Sequence, residues 1–118
     1  MSYIDGFVIP VPTANRAAYR AHEVKWWPDF RKLGAISIGV GWGDEVPDGK
    51  ATDFKRAVAA RPDETVAFGW MVWPDKATRD AAYAKMMEAG GGMLDMPFDG
   101  KRMIYGGFEP ILMEGAAK

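Results

Sequence analysis

The chain has 118 residues, enough for one domain with a single core. Fifteen Lys and Arg against sixteen Asp and Glu leave a net charge of −1, which provides no field to draw a phosphate backbone or anionic lipid, so neither nucleic acid nor membrane is expected as a partner. Cysteine is absent, which excludes disulfides, thiolate metal sites and thiol nucleophiles together.

Apolar residues at 48% and charged residues at 26% are ordinary for a globular domain, whereas 14 Gly and 5 Trp are high and require the aromatics to be packed somewhere. The N-terminal residues Met1 to Gly6 lack the basic segment and apolar run of a signal peptide, so a cytoplasmic protein is expected. No apolar run approaches the roughly 18 residues of a membrane span.

Tyr3 to Val11 carries apolar residues at both parities, which predicts a strand covered on both sides. Pro10 and Pro12 at its end suit an edge or a strand terminus. Thr13 reads as an N-cap for a helix over Ala14 to Leu33, in which Asn15, Tyr19, His22, Trp26, Phe30 and Leu33 fall in one buried sector. Pro28 predicts a kink or restart near Trp26-Trp27, and Gly34 ends the helix.

Ala35 to Gly43 alternates Ile36, Ile38, Val40 and Trp42 against Ala35, Ser37 and glycines, a strand with one bare face. Asp44 to Gly49 follows as a turn; it opens no helix, so the glycines do not read as a phosphate loop, and Val46 and Lys55 stand where a calcium loop needs oxygen ligands. Asp53 to Arg61 predicts a short helix anchored by Phe54 and Val58. Thr65 to Trp73 is the strongest strand, again apolar on both faces. Pro74-Asp75 starts a helix over Lys76 to Ala89 whose inward face is expected to use Ala77, Ala81, Ala84 and Met87. After Gly90-Gly91-Gly92, a turn at Pro97 to Gly100 leads into a last strand from about Lys101 to Met113.

The order β-α-β, β-α-β is that of a ferredoxin-like split βαβ fold with a four-stranded antiparallel sheet. The likeness of Ala14-Asn15-Arg16-Ala17-Ala18-Tyr19 to the stretch Ala77 to Tyr83 supports an internal duplication. Two helices cover one side of such a sheet, and the two-faced strands leave its other side apolar. Monomers rarely tolerate that patch, so a homodimer paired sheet to sheet is expected.

Several motifs carry a family likeness: Tyr3-Ile4-Asp5-Gly6-Phe7-Val8-Ile9-Pro10-Val11-Pro12, Gly43-Asp44-Glu45-Val46-Pro47-Asp48-Gly49-Lys50, Asp63-Glu64-Thr65-Val66, Arg79-Asp80 and, above all, the run Pro97-Phe98-Asp99-Gly100-Lys101-Arg102-Met103-Ile104-Tyr105-Gly106-Gly107-Phe108-Glu109. On these the chain resembles the YbaA-like family of small bacterial proteins of unknown function, in the dimeric α+β barrel superfamily. The resemblance implies a ferredoxin-like homodimer and brings no catalytic residues to transfer. The chain departs from it at Val40-Gly41, where the family's second strand carries a Glu-Cys pair.

Candidate chemistry rests on few residues. His22, the only histidine, titrates near neutrality and suits acid–base work, although a lone histidine beside a core face is in most proteins simply hydrogen-bonded. One histidine argues against a metal site, and no cofactor is expected. Asp5, inside an apolar strand, must be paired if buried, with Arg102 or Lys101 as the expected cations. Tyr105 completes the catalytic candidates; Arg102, Trp26 and Trp70 are the candidates for ligand binding. Three readings follow: a dimeric module binding a small aromatic or acidic metabolite, a cofactor-independent monooxygenase- or isomerase-like enzyme with His22 or Asp5 as base, and a structural or stress-related dimer without ligand.

Overall fold

Alternating apolar residues build two long strands, β1 (Tyr3–Pro12) and β3 (Glu64–Trp73), that pair antiparallel over their whole length, with Tyr3 opposite Trp73 and Pro12 opposite Glu64. β2 (Ser37–Trp42) pairs with the outer side of β3, and β4 (Ile104–Phe108) with the outer side of β1. The result is one four-stranded antiparallel sheet in the order β2-β3-β1-β4. Helices α1 (Arg16–Lys32), α2 (Phe54–Ala57) and α3 (Lys76–Glu88) complete an α+β architecture. This computed structural model describes residues 2–88 and 96–115, and none of the described helices is long and apolar enough to cross a membrane.

β1 is a central strand and yet carries two prolines. The Thr13 N–H bonds to Asp63 O on the β3 side, at 2.9 Å, so alternation along the strand turns the Pro10 and Pro12 nitrogens toward β4. β4 pairs only with Ile4 to Val8, and the missing N–H groups therefore cost no ladder bond.

The side of the sheet beneath α1 and α3 holds two core clusters. Ile9, Val11, Tyr19 and Ala67 form one, joined by Phe7, Trp42, Phe98 and Met103; Ala35, Met71, Trp73 and Ala82 form the other, joined by Tyr3, Trp27, Phe30, Leu33, Ile38 and Tyr83. The opposite side carries Ile4, Val8, Phe68, Trp70, Val72, Ile104 and Phe108, as the strand registers dictate. Of the described helices only the short α2 touches this side, where Phe54 stands edge-on to Phe68 at 6.3 Å, while Phe68, Trp70, Ile104 and Phe108 stay exposed, Phe108 at 58%. The bare face of β2 has a role here: a Cβ at Gly39 would strike the Trp70 indole, which lies across it.

The expected buried sector of α1 holds: Tyr19 is buried and Asn15, His22, Trp26, Phe30 and Leu33 are at least partly covered. α1 runs unbroken through Pro28, which lies on the exposed side, where the carbonyl that loses its partner meets water. Thr13 is not a helix cap; it begins a tight 3-10 turn, and its hydroxyl pairs with that of Thr65 at 2.7 Å. Gly34 ends α1 with φ at +117°. Asp53 caps α2, accepting from Arg56 N at 2.7 Å, and Asp75 receives the Thr78 N–H at the start of α3 at 2.7 Å.

Two expectations are corrected. α3 does not face inward through Ala77, Ala81, Ala84 and Met87, which are exposed, Met87 at 76%; Ala82 is buried, with Thr78, Arg79, Tyr83 and Met86 partly so. The helix is turned so that Arg79 and Tyr83 reach Asp5. The last strand spans Ile104–Phe108 rather than Lys101 to Met113, so Lys101 and Arg102 belong to the turn that precedes it. Ala89 and the Gly90-Gly91-Gly92 stop lie outside the described residues.

Candidate functional site

Three polar groupings stand on or beside the sheet. Asp5, 5% exposed, points from β1 toward α3. Its Oδ1 accepts from Arg79 Nε at 3.1 Å and Nη2 at 3.0 Å, and its Oδ2 from Trp73 Nε1 at 2.8 Å and the Tyr83 hydroxyl at 2.6 Å. The Arg79 guanidinium lies over the rings of Tyr3 and Tyr83, at 5.3 and 4.8 Å. Burial, then the hydrogen bond to Asp5, pushes the Tyr83 phenol above its ordinary 10.0. Asp5 is therefore paired, as its burial demands, but with Arg79 rather than with Arg102 or Lys101. The physical reason is the register: β4 sets Gly107 opposite Asp5, and its antiparallel course puts Lys101 and Arg102 toward the other end of β1.

Arg102 belongs to a second grouping at the far end of β3. Nη1 and Nη2 hold the two Glu64 oxygens at 2.7 and 2.6 Å, Nε bonds Asp99 at 2.9 Å, and Nη1 also reaches Ala59 O at 2.9 Å. These bonds fasten the Pro97–Arg102 turn to the start of β3. The Arg102 hydrogen bonds hold both Glu64 and Asp99 below their ordinary carboxylate values.

The third grouping lies between α1 and the Pro97–Arg102 turn. Tyr19, 2% exposed, stands edge-on to Phe98 at 5.8 Å and 6.5 Å from Trp42. His22, one turn further along α1, meets the same Phe98 ring at 6.1 Å. Its Nδ1 is 3.1 Å from Glu23 Oε2. Asn15 Nδ2 donates to Pro97 O at 3.0 Å and so fixes the turn that carries Phe98 against α1. Burial raises the Glu23 carboxyl above its ordinary 4.5, against the His22 hydrogen bond that lowers it; burial and, second, the Glu23 charge raise the Tyr19 phenol.

What separates this grouping from the other two is incompleteness. The Tyr19 hydroxyl and His22 Nε2 are buried and have no hydrogen-bond partner among the described residues. Buried polar atoms in folded proteins are nearly always paired, because an unmet one costs about 1–3 kcal/mol. The side chains of Asp5 and Arg102 are saturated by comparison.

The candidates read from the sequence thus occupy separate places. His22 faces Phe98, Asp5 faces α3, and Arg102 is clamped by Glu64 and Asp99. Trp70 lies on the side of the sheet opposite α1 and α3, 41% exposed. Tyr105 is 75% exposed on the edge strand, and Trp26 carries Lys25 over its ring at 5.6 Å. Tyr19, Glu23 and Phe98 were not singled out from the sequence as site residues. Tyr19 three residues before His22, and Glu23 directly after it, were the available signal, hidden because the helical sector reads first as core. Among the described residues, no three His, Asp or Glu side chains converge as metal ligands.

Comparison with known proteins agrees with the motifs. The model of a family described as protein of unknown function (DUF1428) matches residues 2–100. The uncharacterized protein YbaA of Escherichia coli K12 is 50% identical over 120 residues, covering 97% of this chain and 100% of that protein, and the YbaA of Shigella flexneri matches equally. Among solved structures, the de novo designed protein Foldit4 aligns with a TM-score of 0.44 at 11% identity, over 92% of this chain and 94% of that one. With a family match across most of the chain and relatives aligned from end to end, the chain belongs to the DUF1428 family of proteins of unknown function.

Proposed function

We propose that the protein is a ferredoxin-like homodimer of the dimeric α+β barrel type that binds a small, flat, partly apolar metabolite between α1 and the Phe98 turn. The observation that carries the binding reading is the pair of buried groups unmet among the described residues, Tyr19 hydroxyl and His22 Nε2, with Phe98 edge-on to both rings and Trp42 beside Tyr19. A ligand offering an oxygen to both atoms and an aromatic or planar body to the rings satisfies them together. Arg102 and Trp70 take no part in this reading.

The dimer is supported by the apolar, largely exposed sheet face opposite α1 and α3. A standard interface takes about 800 Å² from each partner, a tenth of the 8094 Å² that the chain exposes. A slab 38 by 34 Å in its long dimensions offers a face of that size. The strand order β2-β3-β1-β4, with α1 and α3 on one side, supports the ferredoxin-like reading, whose strand order it matches in reverse. Two measurements test the proposal. Sedimentation at micromolar concentration is expected to give about twice the chain mass of 13.0 kDa, and a single species at that mass would overturn the dimer. A thermal-shift screen of aromatic acids, quinones and hydroxylated aromatics is expected to yield a ligand whose effect is lost in Tyr19→Phe and His22→Gln. A ligand at about 100 times its Kd adds about 2.7 kcal/mol.

A further inference from the structure

We infer that the same site moves a proton on its ligand, with His22 Nε2 as the base, Glu23 as the group that positions it, and an enolisable carbonyl compound as the substrate class. This rests on the binding reading above and goes beyond it. The starting point is the direction of the His22 ring. Nδ1 is tied to the Glu23 carboxylate at 3.1 Å while Nε2 is buried without a partner among the described residues. A carboxylate at Nδ1 sets the tautomer: Nδ1 keeps its proton and donates it to Oε2, so the lone pair is on Nε2.

The second group needed is a donor for the charge that develops on the substrate, and the Tyr19 hydroxyl, on the same face of α1 and against the same Phe98 ring, is free to serve. The step balances without any co-reactant. The C–H bond next to the substrate carbonyl breaks, its proton goes to Nε2, and its electron pair forms the C=C bond of the enolate. The carbonyl π pair moves onto oxygen, where the Tyr19 O–H donates to it. Return of the proton from Nε2 to the same carbon gives exchange, and return to a conjugated carbon gives the isomer. The forming imidazolium is stabilised by Glu23. Phe98 stands edge-on to both Tyr19 and His22, and the burial of their polar atoms keeps water from them, which favours a planar enolate with an aromatic or conjugated substituent. Tyr19 and His22 are thereby catalytic residues, and Glu23 is a positioning residue.

The experiment follows phenylpyruvate and an aromatic β-diketone in D2O by proton NMR with the intact wild-type protein, reading loss of the α-proton signal, with binding read separately by saturation transfer. Wild type is expected to exchange the α-proton on the order of 10²-fold faster than buffer alone. His22→Gln is expected to fall to the buffer rate, and Tyr19→Phe to lose about 10²-fold where the donor is fully used. Glu23→Gln is expected to lower kcat with KM unchanged. Tyr19→Phe removes only a hydroxyl that bonds nothing among the described residues, so its fold is retained and it reports on chemistry even if another variant unfolds. Binding without exchange, or exchange that survives in both His22→Gln and Tyr19→Phe, would overturn the proton-transfer inference and leave the binding reading standing. Absence of binding by either probe together with failure of the thermal-shift screen would overturn both.

Discussion

Arg79 on α3 holds Asp5 on β1 across 74 residues of sequence, with Nη2 3.0 Å from Oδ1 and the guanidinium layered between Tyr3 and Tyr83. That one pairing decides the rotation of α3. Were the helix packed through its alanines, the Asp5 carboxylate would be buried without a cation. The cost of an unpaired buried charge exceeds what a few alanine contacts return.

Arg79→Ala is accordingly expected to destabilise the protein by about 3–5 kcal/mol, because Asp5 would stay buried with only Trp73 and Tyr83 as partners. Chemical denaturation at pH 7 measures it. The double variant Asp5→Leu, Arg79→Met, which removes both charges and keeps volume, is expected to recover most of that loss. If the double variant were no better than the single, the pairing would not be the reason for the helix orientation.

Gly107→Ala tests the same grouping from the edge strand. A Cβ there would strike the Tyr3 hydroxyl and come within 2.9 Å of Arg79 Nη2. The expected cost is about 1–3 kcal/mol, as for other overpacked positions, and it should shrink in the Tyr3→Phe background. Gly106→Ala, whose Cβ meets only Phe108 at ordinary contact distance, is expected to be mild.

Arg102 and Glu64 predict an acid limb. The Arg102 hydrogen bonds hold the Glu64 carboxyl below its ordinary 4.5, so its contribution to stability is complete above that value and is lost as pH falls through the folded-state value. Arg102→Ala is expected to lower Tm by several degrees at pH 7, and Arg102→Lys, lacking the two-pronged geometry, to rescue only part. The gap between wild type and Arg102→Ala should narrow as pH is taken below about 4. A gap independent of pH would count against the clamp.

Glu23 has the opposite sign. Burial raises its carboxyl above 4.5, so the folded protein binds this proton more tightly than the unfolded chain. The stability this contributes is present below 4.5 and is lost as pH rises through the folded-state value. Glu23→Gln, which still accepts from His22, is expected to be at least as stable as wild type at pH 7, with the advantage vanishing near pH 4. Melting curves across that range check it.

Charge placed on the sheet face opposite α1 and α3 tests assembly. Trp70→Glu or Phe68→Glu is expected to shift the sedimenting species to the single-chain mass while circular dichroism keeps its strand and helix content, since neither side chain belongs to the core clusters. A dimer that persists in both variants would place the interface elsewhere.

The sequence by itself determined the number and kind of the long elements, the two-faced character of β1 and β3, and the buried sector of α1. Those follow from periodicity, which is local: a residue's place in a strand or helix depends on neighbours two to four positions away. The motif Pro97 to Glu109 was legible as turn and strand, and its length carried the family. Only the tertiary structure decided what its cations and glycines do. Arg102 closes on Glu64, and Gly107 makes room for Tyr3 and Arg79. The rotation of α3 and the identity of the partner of Asp5 are one decision, taken between residues 74 positions apart, and no period in the chain encodes it. The same holds for the grouping of Tyr19, His22 and Glu23 beneath Phe98. Three of its members lie within five residues of one helix, but only the return of the Phe98 turn onto that helix buries them. It is burial, a property of the whole fold, that turns a hydroxyl and a ring nitrogen, unpaired among the described residues, from ordinary surface groups into a candidate site.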